Sequence, residues 1–259
     1  KDLGSTRGNS TQELLPGVAM TFDLSDRWQL LAGVHKGFSP LGGGATEQQE
    51  PETSTNYETG IRFGSDELFA ELVGFYSDFS AMAENCSVAS PCSNGSDSGT
   101  FVTGEAVVAG VEFQLGSTFA WGQFSVPVHL SYTHTSAEIT ADNSVSGARD
   151  GDELANVPAN MFSLRVELDN NSGWRNYAVA KYTDEVCVAL GCNRSTSDFA
   201  KTESLFVVDL VSRYDLSADA SVYLKVENLF DEQVIIARTP IGARPNKPQT
   251  ASVGVEYRF

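Results

Sequence analysis

The sequence predicts an all-β fold, a transmembrane antiparallel β-barrel with about eleven strands present. Three observations carry this. Apolar and polar residues alternate in strand-like runs along nearly the whole chain. Short turns and long polar loops follow one another between those runs, as in barrels that cross an outer membrane. The runs are about ten residues long, enough to span a bilayer when tilted and longer than most soluble sandwich strands.

Taken in order, the first strand covers Gly17–Leu24 and turns at Ser25-Asp26. The second, Arg27–Phe38, places Trp28, Leu30, Ala32, Val34 and Phe38 on one face, ahead of a Gly- and acid-rich loop, Ser39–Thr53. In the third, Asn56–Phe63, Tyr57, Thr59, Ile61 and Phe63 oppose Glu58 and Arg62, and Gly64-Ser65-Asp66-Glu67 supplies tight-turn residues. The fourth, Leu68–Phe79, runs into a loop holding Cys86 and Cys92. The fifth, Gly104–Leu115, sets Val107, Ala109, Val111, Phe113 and Leu115 against Gly110, Glu112 and Gln114, with a turn expected near Gly116-Ser117.

The sixth strand is Gly122–His134, followed by a polar loop from Ala137 to Pro158. The seventh, Asn160–Asp169, alternates most cleanly: Phe162, Leu164, Val166 and Leu168 against Ser163, Arg165 and Glu167. Asn170-Asn171-Ser172-Gly173 turns it into the eighth, Trp174–Thr183, which leads to a second loop with Cys187 and Cys192. The ninth is Ser204–Tyr214 and the tenth Ala220–Asn228. A loop, Leu229–Lys247, precedes the last strand, where Ala251, Val253, Val255, Tyr257 and Phe259 share a face. An aromatic at a strand end suits a membrane–water interface. Trp28, Phe38, Phe63, Phe124, Tyr132, Trp174, Tyr182, Tyr214, Tyr257 and Phe259 read together as two interfacial girdles.

Composition narrows the function. The formal net charge is -17, from 17 basic and 34 acidic residues. That excludes a nucleic-acid binder, which needs basic patches. The cysteines fall into two tight pairs, Cys86 with Cys92 and Cys187 with Cys192. Each pair would staple one loop in an oxidising compartment. Zinc on all four is the sharper alternative, but no Cys-x-x-Cys spacing is present. Asp142, Ser144, Ser146, Gly147 and Glu153 match a calcium-loop spacing only in degenerate form, and an acidic loop is the default. His35, His129 and His134 form no catalytic constellation with neighbouring residues. No metal or catalytic site is expected. Lys36 falls on the lipid side near the outer interface, where it would meet lipopolysaccharide phosphate or snorkel to water.

Specific strings then resemble TonB-dependent outer-membrane receptors. Val226-Glu227-Asn228-Leu229-Phe230-Asp231-Glu232 followed by Arg244-Pro245 resembles the C-terminal end of that family. So do the run Gly33 to Pro40, Glu50 to Ser54 with Asn56 to Arg62, and Gly104-Glu105-Ala106 leading into Gly110-Val111-Glu112. The string His35 to Pro40 and the cysteine loop after Phe79 look most like ferric dicitrate receptors.

The resemblance implies the C-terminal half of a 22-strand plugged barrel that imports a ferric chelate, of the siderophore or ferric citrate class. Energy would come from the TonB complex through an N-terminal part, and that part and the plug would lie outside this chain. Its surroundings would be outer-membrane lipid and lipopolysaccharide. The chain opens at Lys1 without Met, which reads as a processed or partial sequence.

An anionic ferric chelate calls for Arg or Lys at the outer mouth, since Arg matches carboxylates bidentately. Arg165, Arg175, Lys181 and Arg213 face the expected lumen; Arg194, Arg238 and Arg244 lie in long loops. Pairing with Glu167 or Asp209 across the wall is the structural alternative for these cations. Two other classes stay open at this level: a small autonomous outer-membrane barrel enzyme, protease or phospholipase, and a secreted β-sandwich binding module.

Overall fold

A computed structural model of the chain describes residues 12–40, 50–86, 88, 99–144, 146–238 and 242–258, with backbone alone for 83–86 and 99–103. Eleven antiparallel strands form one sheet. They are β1 (Gly17–Asp23), β2 (Trp28–Ser39), β3 (Glu52–Gly64), β4 (Leu68–Cys86), β5 (Gly99–Trp121), β6 (Phe124–Ile139), β7 (Asn160–Asp169), β8 (Trp174–Thr183), β9 (Leu205–Asp215), β10 (Ala220–Glu227) and β13 (Thr250–Tyr257). Each strand pairs with the next, β13 pairs with β10, and β1 and β13 are the edges of an open wall. Between β10 and β13, β11 (Ile235–Ala237) and β12 (Arg244–Pro245) make a small separate ribbon. Among the described residues no helix is long and apolar enough to cross a membrane.

Register carries the predicted faces across the wall. Tyr132 pairs with Phe162, Phe162 with Tyr182, and Tyr182 with Phe206, so one face is apolar and aromatic from strand to strand. On that face the Trp28 and Phe63 rings lie 4.9 Å apart and those of Tyr57 and Tyr76 6.3 Å apart. The opposite face is polar. There Arg62 reaches Glu71 at 2.5 Å and Gln29 at 3.2 Å. A hollow of about 820 Å³ on this wall is lined by residues that include Gln114, His129, Ser131, Ser163 and Arg165.

The short turns are built by side chains that replace the ladder. Ser25 Oγ accepts from the amides of Arg27 and Trp28, and Ser65 Oγ from that of Leu68. Between β7 and β8, Asn170 Oδ1 accepts from the amides of Ser172 and Trp174, while Asn171 and Gly173 take positive φ of 57° and 90°. Asn and Gly tolerate that conformation at little cost.

The structure corrects four expectations. The turn near Gly116-Ser117 is absent; β5 runs on and turns at Gly122, with φ 60°. Thr118 to Trp121 continue the alternation and pair with Phe124 to Pro127. Second, β4 and β5 extend well past the predicted limits at their long-loop ends. Apolar alternation stops where lipid stops, but backbone hydrogen bonding continues regardless of side-chain polarity. A register shift between Phe79 and Met82, with Ala81 at φ 53°, marks the passage. Third, the loop Leu229–Lys247 contains the β11–β12 ribbon. Fourth, the polar loop from Ala137 is partly sheet: Ala137, Glu138 and Ile139 complete β6. Phe259, the Cys92 loop and the side chain of Cys86 lie outside the described residues.

Candidate functional site at the long-loop end

The largest departure from a bare wall lies where two long loops meet above β6–β9. The first follows β6. Its Ile139 and Leu154 amides donate to Asp152 and Ala137 carbonyls, so the loop returns along β6 as an extra strand-like segment. Ala148 and Leu154 close over Ala106 and Ile139, joined by Phe79, Met82 and, from the second loop, Leu190. This is the main buried apolar cluster of the described residues, and it fastens the loops to the β4–β6 wing.

The second loop follows β8 and is stapled by the Cys187–Cys192 disulfide, whose Cα atoms are 5.5 Å apart. The bridge ends in a 3₁₀ turn, Cys192–Arg194. From it Arg194 donates to Asp152 through Nε and, at 2.7 Å, through Nη2. Asp152 has no exposed surface. Its carboxylate also accepts from the Arg149 amide at 2.8 Å. The Arg194 guanidinium holds the Asp152 carboxyl below the usual carboxylate range, against the upward push of burial. Asn193 adds a bond from Nδ2 to the Gly151 carbonyl, and the Asn156 amide donates to the Cys187 carbonyl. Two loops about forty residues apart are thereby one platform.

A polar chain caps the aromatic face below. Asn160 Oδ1 accepts from Tyr132 at 2.7 Å and lies 3.0 Å from His134 Nδ1; its Nδ2 donates to Asp184 at 2.6 Å. Tyr182 donates to the other Asp184 oxygen at 2.5 Å. Burial pushes the Asp184 carboxyl up, but the bonds from Tyr182 and Asn160 and the nearby His134 hold it below its ordinary value. The adjacent cleft of about 460 Å³ includes Glu138, Glu153, Glu185 and Lys201 in its lining. The one grouping with metal-ligand proximity among the described residues is Glu153 with Cys187 and Cys192. Both cysteine sulfurs are committed to the disulfide. Asp142 of the degenerate calcium spacing instead accepts from the Asp150 amide.

A third loop joins the platform. Asn228 is 3% exposed at φ 53°; its Nδ2 donates to the Glu232 and Lys247 carbonyls and its Oδ1 accepts from the Glu232 amide. Asn246 performs the matching service, accepting from the Val234 amide and donating to Glu232 and Lys247 carbonyls. The Asn-Leu-Phe-Asp string is thus a folding device for this loop.

The sequence-selected cations are dispersed rather than gathered. Arg175 and Arg213 stand at the short-turn end, away from the loop platform. Arg175 pairs with Asp215 at 2.9 Å, and Arg213 with Asp215 at 3.2 Å and Glu256 at 2.7 Å. Arg165 meets Glu167 at 3.1 Å and lies 4.9 Å over the Tyr177 ring. Lys181 meets Asp209 at 3.2 Å. Arg238 and Arg244 belong to the third loop, Arg244 within β12. Asp152, Asn160 and the anchoring role of Arg194 carry no sequence signal, because each depends on a loop brought back from far along the chain.

An open wall with an apolar outer face, a polar inner face, tight turns at one end and a knitted loop platform at the other defines the wall of an outer-membrane β-barrel. The family described as TonB dependent receptor-like, beta-barrel matches residues 2–229. The chain belongs to that family, whose members are transport receptors in the outer membrane of Gram-negative bacteria. It is 27% identical to the metal-pseudopaline receptor CntO of Pseudomonas aeruginosa across 99% of this chain and 36% of that receptor. It spans about a third of the length of the curated relatives it matches. Its fold is similar to the ferric citrate transporter FecA, with TM-score 0.75 and 21% identity, covering 95% of this chain and 38% of FecA. It is also similar to the ferric yersiniabactin receptor FyuA of Yersinia pestis, with TM-score 0.74 and 18% identity over 95% of this chain and 37% of FyuA. The long-loop end is therefore the outer mouth and the short-turn end faces the periplasm.

Proposed function

We propose that this chain is the C-terminal part of the barrel of a receptor that captures a metal chelate, of the ferric siderophore or ferric citrate class, at the cell surface. Import would draw on the TonB complex through a plug and an N-terminal segment that are no part of this wall. The observation that supports it best is the loop platform. An ion pair onto the buried Asp152, a disulfide and two inward asparagines hold three long loops in one arrangement, which lowers the ordering cost of ligand capture. Family membership and a curated relative named for a metal chelate agree with it.

In this reading Arg165, Arg175, Lys181 and Arg213 set the wall, each already held by a carboxylate. Arg238 and Arg244, on the outer loops, are the candidate chelate contacts. The outer leaflet with its lipopolysaccharide surrounds the aromatic face. The test is titration of the full-length receptor with ferric citrate and with a neutral ferric trihydroxamate, read by tryptophan fluorescence. Saturable binding of either at micromolar levels or below is expected. Binding of neither would overturn the metal-chelate reading.

A further inference from the structure

We propose that Arg238 and Phe199 form a clamp for a carboxylate-bearing chelate, a deepening that rests on the metal-chelate reading above. The argument starts from charge. Arg165, Arg175, Lys181, Arg194, Lys201, Arg213 and Lys247 each have a carboxylate partner. Arg238 has none among the described residues. Its Nε donates to the Lys201 carbonyl at 2.8 Å and its Nη2 lies 3.5 Å from the Asp198 carbonyl. Neutral carbonyls orient a guanidinium without cancelling its charge. Of the acids on the neighbouring loop, Glu185 is engaged with Lys201 and Glu203 with the Ile235 amide, while Asp198 meets Arg238 through its backbone carbonyl and not through an ion pair.

Phe199 supplies the second half. It is 74% exposed at the outer mouth, which leaves most of its ring open to a ligand. Its backbone is fixed by a turn in which the Phe199 amide donates to Ser197 Oγ and the Ala200 amide to the Ser197 carbonyl. The next residues are tied to the disulfide: the Val188 amide donates to Ala200, and Cys187 bridges Lys201. Arg238 Cζ lies 5.3 Å from the ring centroid. The guanidinium is therefore flanked on one side by a ring and along one edge by carbonyls. Its remaining N–H groups form a fork that matches a carboxylate. The exposed ring offers apolar surface beside it. A chelate with a carboxylate next to an aliphatic or aromatic portion satisfies both.

The experiment compares ferric citrate with a neutral ferric trihydroxamate on the full-length receptor and its variants. Arg238→Gln is expected to weaken ferric citrate about ten- to a hundredfold, the worth of a charged hydrogen-bonded contact, and to leave the trihydroxamate unchanged. Arg238→Lys should recover only part of the loss. Phe199→Leu should weaken ferric citrate about two- to fivefold. Unchanged citrate affinity in Arg238→Gln would overturn the clamp. So would equal loss of both chelates together with protease cleavage in 184–204, which would mark a purely structural role. A wild-type receptor that binds the trihydroxamate but not ferric citrate also overturns the clamp and leaves the metal-chelate reading standing. One that binds neither overturns the reading itself.

Discussion

Arg194 grips the fully buried Asp152 with two guanidinium nitrogens, and through that contact two loops from opposite sides of the β7–β8 hairpin become one surface. Arg194 itself is 41% exposed along its side chain, so water screens part of the attraction. Leaving Asp152 buried without its partner is the larger effect. Arg194→Ala should loosen the platform and leave the wall intact. Faster limited proteolysis within 140–159 and 184–204, with unchanged heat-modifiable gel mobility, is the expected outcome.

The same pair sets a pH limit. The folded carboxyl of Asp152 sits below its unfolded value, held there first by the Arg194 hydrogen bond. A depressed acid contributes stability above its unfolded pKa and loses it as pH falls through the folded one. The platform should therefore hold from about pH 7 to about pH 5 and loosen only below about pH 4. Hydrogen exchange of the two loops across that range reads it out; loosening that begins near neutrality would contradict it.

Gly191 makes the grip possible. It lies at φ 71°, and a Cβ there would stand 2.5 Å from Arg194 Nη2 and 3.1 Å from Asp152 Oδ2. Gly191→Ala adds a left-handed penalty of about 1–2 kcal/mol to displacement of the guanidinium. Its loops should be at least as protease-sensitive as those of Arg194→Ala.

Asn228 allows backbone and side-chain effects to be separated. Asn228→Gly keeps the positive φ and loses three side-chain bonds; Asn228→Ala loses both. Chemical unfolding of the folded receptor should place Asn228→Ala below Asn228→Gly by about 1 kcal/mol, and both below wild type.

The two faces of the wall are distinguishable by one substitution type. Leu164 lies mid-strand between Leu130 and Ala180 on the apolar face, and Ser131 between Gln114 and Ser163 on the polar face. Leu164→Arg should destabilise the receptor in lipid by about 2–4 kcal/mol. Ser131→Arg should stay within about 0.5 kcal/mol. Equal effects would mean that the faces are misassigned.

The wall was legible because its information is local. Alternation in a run such as Phe162 to Leu168 reports which side meets lipid, and Asn170 to Gly173 reports a turn, each within a few residues. The Cys187–Cys192 bridge was legible for the same reason. The upper parts of β4 and β5 were not, because above the lipid the side chains no longer alternate while the ladder continues.

For this protein the sequence alone determined the number of wall strands, their two faces and the family, since lipid on one side and water on the other impose a period-two code on every strand of the wall. Only the tertiary structure decided what the loops do. It placed Arg194 on Asp152, Arg238 on Phe199, and Arg175 and Arg213 at the periplasmic end. Those outcomes depend on contacts between residues about forty positions apart or on which end of a strand a residue occupies. Neither leaves a periodic trace in the chain.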